Sequence, residues 1–269
     1  MERPPLSEIQ RERYDRQIRI PEIGEAGQRR LLASSALVVG AGGLGSPVLL
    51  YLAAAGVGRI GIVEGDRLEL SNLNRQVLHA TADLGRPKIE SAAERIRALN
   101  PDCRVEPFAG RLSAADARRL VRSWDVVLDC TDNFPTRLVL ADACWLERAR
   151  LVSAAASRFD GQLLSILPDE GSPCYRCFVP EAPPETVLPP PAALGVFGTA
   201  PGVMGALQAI ETVKVLLGLG ENLAHGLLVY EGLKGRVRVV RRTRDPACAL
   251  CGPEPTITDL AAPHRDDRR

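Results

Sequence analysis

Apolar positions in this chain come in short runs divided by polar turns, and the spacing within the runs alternates. Ala36–Val39 is an unbroken apolar run of strand length, and it ends on the glycine turn Gly40-Ala41-Gly42-Gly43-Leu44-Gly45. Arg59–Glu64 is a second such run, closed by the acids Glu64 and Asp66. Arg104–Pro107, Asp125–Asp129 and residues 150–153 repeat the strand pattern. Between them lie segments that read as helices: Ser46–Ala55, Pro87–Leu99, residues 113–122 and Pro135–Arg148. Asn100-Pro101 stops the second of these, because proline lacks the N–H a helix needs and clashes with the preceding turn. Strands alternating with helices of this length predict an α/β, Rossmann-like, doubly wound and mainly parallel sheet.

The second half changes character. "FDGQLLSILPDEG" reads as a strand leading to a turn, and "HGLLVYEGLKGRVRVVRR" as a hairpin, which predicts an antiparallel C-terminal extension of the sheet. Between them, residues 179–201 hold seven prolines, too many for regular structure, so a long irregular loop is expected there. The organisation expected is one domain over residues 1–252, with a mobile loop at about 178–200. Residues 253–269, Pro-rich and then charged, read as a disordered tail.

Composition narrows the partners. Hydrophobic residues make up 45% and charged residues 25% of the 269, as in an ordinary globular protein. Lys+Arg number 34 against 33 Asp+Glu, so no global field favours nucleic acid or a membrane surface, and an anion must be bound by local design. The charged N-terminus lacks the apolar core of a signal peptide, and neither 47–55 nor 203–219 reads as a membrane span. A cytoplasmic location is expected. Of seven cysteines, four fall in tight pairs, Cys174-x-x-Cys177 and Cys248-x-x-Cys251. Four thiolates suit a closed, structural Zn²⁺ site. A redox pair is the rival, but "CYRC" does not open a helix after a strand as a thioredoxin-like motif does. Cys103, Cys130 and Cys144 sit in apolar contexts and read as buried fillers.

Gly40, Gly42, Gly43 and Gly45 follow a strand and open a helix, and an acid comes about 20 residues later, as a dinucleotide fingerprint requires. That pattern does not separate NAD from ATP. The next segment does: Ser71-Asn72-Leu73-Asn74-Arg75-Gln76 offers a permanently charged fork with amides to orient it. Lys88 stands in the first turn of a helix, where a cation is out of place unless it and the helix end face one anion. Alone, Lys88 would read as a solvated charge; beside Arg75 and the glycine turn, a triphosphate is the better reading. Asp129-Cys130-Thr131-Asp132-Asn133 ends a buried strand. Asp132 suits Mg²⁺ with phosphate oxygens, and the competing reading is that Asp132 or Asn133 merely caps the following helix.

These residues carry a family resemblance. From "RYDRQI" through "GAGGLG", "GVGRIGIVEGDRLELSNLNRQ", "GRPKIESA", "LDCTDN" with Arg137, "GQL", "CYRC" and "CALC", nearly the whole chain resembles the MoeB/ThiF/HesA family, prokaryotic relatives of ubiquitin-activating enzymes. The resemblance implies a homodimeric adenylyltransferase. It would use ATP and Mg²⁺ to adenylate the C-terminal Gly-Gly carboxylate of a ubiquitin-like sulfur-carrier protein. It also implies that Glu64 binds ribose, Arg75 and Lys88 hold phosphates, Asp132 positions Mg²⁺, and Arg16 reaches into the partner's site. Two departures stand out: Glu64 replaces the family's usual Asp, and no cysteine lies between 178 and 247, where family members often have one in the loop after the first C-x-x-C. With no loop thiol, release of the acyl-adenylate to an external sulfur donor, a desulfurase or rhodanese-type protein, is expected. The sequence leaves open which carrier is served. Two rival functions are a non-catalytic nucleotide-binding scaffold and an NAD-dependent dehydrogenase, the latter disfavoured by Arg75 and Lys88.

Overall fold

The structure is a computed structural model and describes residues 4–169, 171–184, 186–187 and 191–260. Three short helices open the chain, α1 (Glu8–Arg13), α2 (Asp15–Ile18) and α3 (Gly24–Leu32). Next come β1 (Ser35–Val39), α4 (Gly45–Ala55), β2 (Arg59–Glu64), α5 (Lys88–Leu99), β3 (Arg104–Ala109), α6 (Ala114–Val121), β4 (Val126–Asp129), α7 (Phe134–Leu146) and β5 (Leu151–Ser157). The chain then passes through β6 (Asp160–Ile166), α8 (Pro191–Leu194), α9 (Thr199–Leu217), β7 (Gly226–Glu231) and β8 (Arg236–Arg241).

The strands form one eight-stranded sheet in the order β3-β2-β1-β4-β5-β6-β7-β8. The first five are parallel, and β5 onward is antiparallel. The mainly parallel sheet with an antiparallel C-terminal extension is therefore as expected. β1 and β4 are buried along their whole length, which is why both read as unbroken apolar runs rather than alternating ones. One face is covered by α3, α4, α5 and α9, whose Leu31, Leu49, Leu52, Ile96 and Met204 share a core with Val38 and Ile60. The other face is covered by α6 and α7, with Leu120, Val121, Leu138 and Leu140 packed on Leu37, Val127 and Leu151.

Two features depart from the sequence reading. The apolar stretch considered above only as a membrane segment is the 19-residue α9. It has the length and hydropathy of a span, yet 61% of that window is buried, because it packs on α4 and crosses β5 and β6. The first part of the expected disordered tail is ordered. Residues 253–260 fold back, with the Thr256 and Ile257 N–H groups donating to Ala249 O and Leu260 only 4% exposed in the second core. Residues 185, 188–190 and 261–269, which include parts of the expected mobile loop and tail, lie outside the described residues.

Candidate active site

The strand order reverses between β1 and β4, since β2 and β3 extend to one side and β5 to the other. Loops leaving the carboxyl ends of such a pair diverge, and the crevice between them is where open α/β sheets bind ligands. Val39 pairs with Asp129, so the glycine turn after β1 and the segment after β4 begin side by side. Gly40 has φ +98°, and a Cβ there would lie 2.8 Å from Cys130 O; a Cβ on Gly45 would collide with Gly40 O. Only glycine fits both positions.

Glu64, ending β2, holds this turn. Its Oε2 accepts from Ala41 N–H at 2.9 Å and its Oε1 from the N–H groups of Gly65 and Asp66 at 2.8 Å each. A carboxylate offers about four lone-pair sites, so accepting capacity remains for a ribose hydroxyl. Asp66 is half exposed, and its carboxylate lies 3.5 Å from Lys88 Nζ and 3.4 Å from Arg111 Nη2. Lys88 opens α5 and is 5% exposed. A buried ammonium with a single carboxylate at 3.5 Å is under-compensated, and an anion in the crevice would complete its environment.

The Ser71–Gln76 cluster divides by role. Arg75 Nη1 donates to Ser71 O at 2.9 Å and Asn74 Oδ1 at 3.2 Å, so the loop aims its fork. Asn72 is instead occupied in the turn, its Oδ1 accepting from Glu69 N–H at 3.1 Å. Gln76 is 5% exposed with Oε1 unpartnered, and its Nε2 would lie 3.6 Å from a Cβ on Gly42. A buried amide oxygen with no protein partner beside a glycine turn is an acceptor that a polar ligand would satisfy.

After β4 the two acids separate. Asp129 is fully buried and fully engaged: Oδ1 accepts from Thr131 N–H and Oγ1, Oδ2 accepts from Ser153 Oγ at 2.6 Å, and Arg137 Nε lies 3.0 Å from Oδ2. Arg137 also donates to Thr131 O and Ala154 O. Burial alone would lower its pKa, but the Asp129 carboxylate, with Tyr175 and Asp132 adding to it, together outweigh that and raise it. Asn133 is the cap of α7, its side chain accepting from Thr136 N–H at 2.9 Å. Asp132 is exposed and takes no part in that cap, so of the residues weighed for metal or capping, Asn133 caps and Asp132 is the available hard carboxylate.

Arg16 is not brought to this crevice. Its side chain is 89% exposed, and Tyr14 beside it is fully buried between Asp102, which accepts from its hydroxyl at 3.2 Å, and Asn100, which donates to it at 2.9 Å. Gln17 donates to Ala55 O. These contacts precede β2 and β3, at the amino ends of the parallel strands, opposite the glycine turn.

Residues the sequence reading passed over also meet here. The amino end of α9 abuts the Arg75 loop, for a Cβ on Gly198 would collide with Asn74 O and one on Gly43 would lie 3.3 Å from Pro201. Gln208 of α9 donates to Asp129 O and Val152 O. His79, 6% exposed, contacts Ala41 O and Ser91 Oγ, each at 3.0 Å. Nothing in a lone histidine near an apolar stretch marks it; its only signal is a place three residues after Gln76.

Away from the crevice, Cys174, Cys177, Cys248 and Cys251 converge with all Sγ atoms within 4.8 Å of one another. Neighbouring pairs stand at 3.8, 3.5 and 3.3 Å. A tetrahedron with metal–sulfur bonds of about 2.3 Å has edges of about 3.8 Å, so the cluster fits a zinc ion. Between the first two ligands Arg176 clasps Asp142 of α7, 3.0 Å from each oxygen through Nε and 2.7 Å through Nη2.

The sequence model of the ThiF family matches residues 14–250. The sulfur carrier protein adenylyltransferase of Thermus thermophilus is 49% identical over 253 residues, 93% of each chain. An adenylyltransferase and sulfurtransferase, MOCS3 of Bos taurus, is 49% identical over 261 residues; the match spans 96% of this chain but 57% of that protein. Among solved structures, E. coli MccB with MccA-N7isoASN superposes with a TM-score of 0.77 at 21% identity, covering 90% of this chain and 74% of that one, a likeness of fold.

Proposed function

This chain belongs to the ThiF family, and from that premise we propose that it is an adenylyltransferase acting on the C-terminal carboxylate of a ubiquitin-like sulfur-carrier protein. One carboxylate oxygen attacks the α-phosphorus of ATP; the bond from that phosphorus to the bridging oxygen breaks, and pyrophosphate leaves with the electron pair. The products are carrier acyl-adenylate and pyrophosphate. An ionised carboxylate needs no base, so the protein's work is alignment and charge neutralisation. The observation that carries the reading is the convergence of the glycine turn, the aimed Arg75, the buried Lys88 and the free Asp132 at one strand-order reversal. Gly40, Gly42, Gly43 and Gly45 would let the backbone approach phosphate, Glu64 would accept ribose hydroxyls, and Arg75 and Lys88 would hold phosphate oxygens. Asp132 would hold Mg²⁺, which supplies further neutralisation of the triphosphate. A nicotinamide cofactor has no third phosphate for the second cation to meet.

The adenylate is released rather than captured by an enzyme thiol. Cys103, Cys130 and Cys144 are all buried. Burial pushes the Cys130 and Cys144 thiols well above their ordinary range and that of Cys103 to about 12. Cys130, nearest the crevice, points inward and donates to Gln208 Oε1 at 3.4 Å. A nucleophilic thiol must be accessible and ionisable, and none of these is. A separate sulfur donor would then complete the thiocarboxylate. One experiment tests both steps: mass spectrometry of carrier incubated with the protein and MgATP should show an AMP adduct, with non-reducing gels showing no enzyme–carrier conjugate. Absence of the adduct with every ubiquitin-like carrier tried would favour a non-catalytic scaffold, and a thiol-sensitive conjugate lost on Cys130→Ser would overturn the release step.

Arg16 would act in the site of a second copy, because in its own chain it is anchored at the opposite edge of the sheet. Mixing Arg16→Ala with Lys88→Ala subunits leaves each mixed dimer one intact site, so random exchange should restore about one quarter of wild-type activity. No recovery despite demonstrated subunit exchange would place its action within one chain or remove it.

A further inference from the structure

We infer that His79 is a positioning residue that sets the spacing of the phosphate-binding elements, acting as a neutral imidazole protonated on Nε2; this rests on the adenylation reading above. Its ring touches two of those elements and its backbone belongs to the third. Nε2 lies 3.0 Å from the carbonyl oxygen of Ala41, the second residue of the glycine turn. Nδ1 lies 3.0 Å from Ser91 Oγ, one helical turn beyond Lys88 on α5. The His79 N–H donates to Gln76 O at 3.1 Å, closing the loop that carries Arg75. A carbonyl can only accept, so Nε2 must carry the hydrogen, and a neutral ring then requires Nδ1 to accept from the Ser91 hydroxyl. Burial, with Lys88 adding repulsion, lowers the tendency of the ring to gain a second proton, while Asp83 and Glu64 oppose that.

The consequence falls on Ala41. Its N–H is held by Glu64 and its carbonyl by His79, so both backbone polar groups of the turn's second residue are pinned. The backbone N–H groups that would cradle phosphate are thereby aimed before nucleotide arrives, and the distance from turn to Lys88 is set through Ser91. Preorganised donors cost no reorganisation on binding, so loosening this joint should weaken nucleotide affinity first.

Calorimetry of ATP binding, with pyrophosphate exchange and the carrier KM, tests it on the intact protein. His79→Leu should weaken ATP binding at least tenfold and leave the carrier KM within about twofold. His79→Gln, whose amide nitrogen takes the place of Nε2, should recover ATP affinity to within about threefold of wild type. ¹⁵N shifts of the wild-type ring should show a protonated Nε2 and an unprotonated Nδ1 at neutral pH. If His79→Leu does not fold, Ser91→Ala serves, since it frees Nδ1 and should weaken ATP binding without changing the carrier KM. Wild-type ATP binding with unchanged affinity in His79→Leu, or in Ser91→Ala where that variant stands in, or failure of His79→Gln to do better than Leu, overturns the proposal alone. Wild-type protein that does not bind ATP overturns the adenylation reading and this proposal with it.

Discussion

Replacing Lys88 with alanine or methionine should slow carrier-dependent pyrophosphate exchange by at least thirtyfold, about 2 kcal/mol of transition-state stabilisation, and Arg75→Ala should do the same. The magnitude follows from the setting. A unit charge about 4 Å from another is worth about 4 kcal/mol at an effective dielectric near 20, and the leaving pyrophosphate gains charge where these cations stand. The ammonium of Lys88 is enclosed by protein, whereas Asp66 is half exposed and can be rehydrated once the lysine is gone. The fold should therefore tolerate the change better than the chemistry does, and Lys88→Met keeps most of the buried stem as a control for packing. Near-normal exchange in both the Arg75 and Lys88 variants would remove the phosphate-holding role from this crevice.

Loss of the thiolate cluster should be felt as stability instead. Purified protein is expected to contain about one zinc per chain, and chelation or Cys174→Ser should lower the Tm by roughly 5–16 °C. Structural zinc in small fingers contributes about 10–16 kcal/mol. Here two hydrophobic cores hold most of the fold, so roughly a quarter of that is assigned to the cluster, and about 2–4 °C is lost per kcal/mol in a chain of about this size. What the metal ties down is visible in the contacts. The loop after β6 is clasped to α7 by Arg176 and Asp142, and the segment after β8 is anchored by Arg242, which donates to the carbonyls of Ser165, Leu223, Ala224 and Gly226. Zinc-free protein with an unchanged Tm, or a disulfide between Cys174 and Cys177 in reducing buffer, would defeat this expectation.

Much of the fold was legible in the chain because its signals are local. β1 and β4 are buried on both faces and so read as continuous apolar runs, and Pro101 and the glycine turn mark the ends of α5 and β1. The same holds for the hairpin of β7 and β8 and for the four cysteines, whose convergence their paired spacing announced. What could not be read was whatever depends on neighbours distant in sequence. The run at 203–219 carries no local mark distinguishing a core helix from a span; packing on α4, β5 and β6 decides it. Leu260 is an unremarkable residue in a Pro-rich tail until the second core receives it.

At the site the division is the same. Residue types alone supplied the cations, the acids and the glycines, since phosphate chemistry demands them wherever they lie. Asp132 was chosen from the sequence, but the physical reason was not legible there: Asp129 and Asp132 are three residues apart, and Ser153, Thr131 and Arg137 consume the first and leave the second to solvent. A place for Arg16 in a partner's site came only as what the resemblance implies; Tyr14 locked against Asn100 and Asp102 adds that Arg16 stands at the edge opposite its own crevice. His79 was invisible, because a joint between three elements has no spacing in the chain. Sequence determines the inventory and the local turns through covalent geometry and hydrophobic period; only tertiary packing, by bringing residues tens of positions apart within 3 Å, decides which polar groups are spent on the fold and which remain for chemistry.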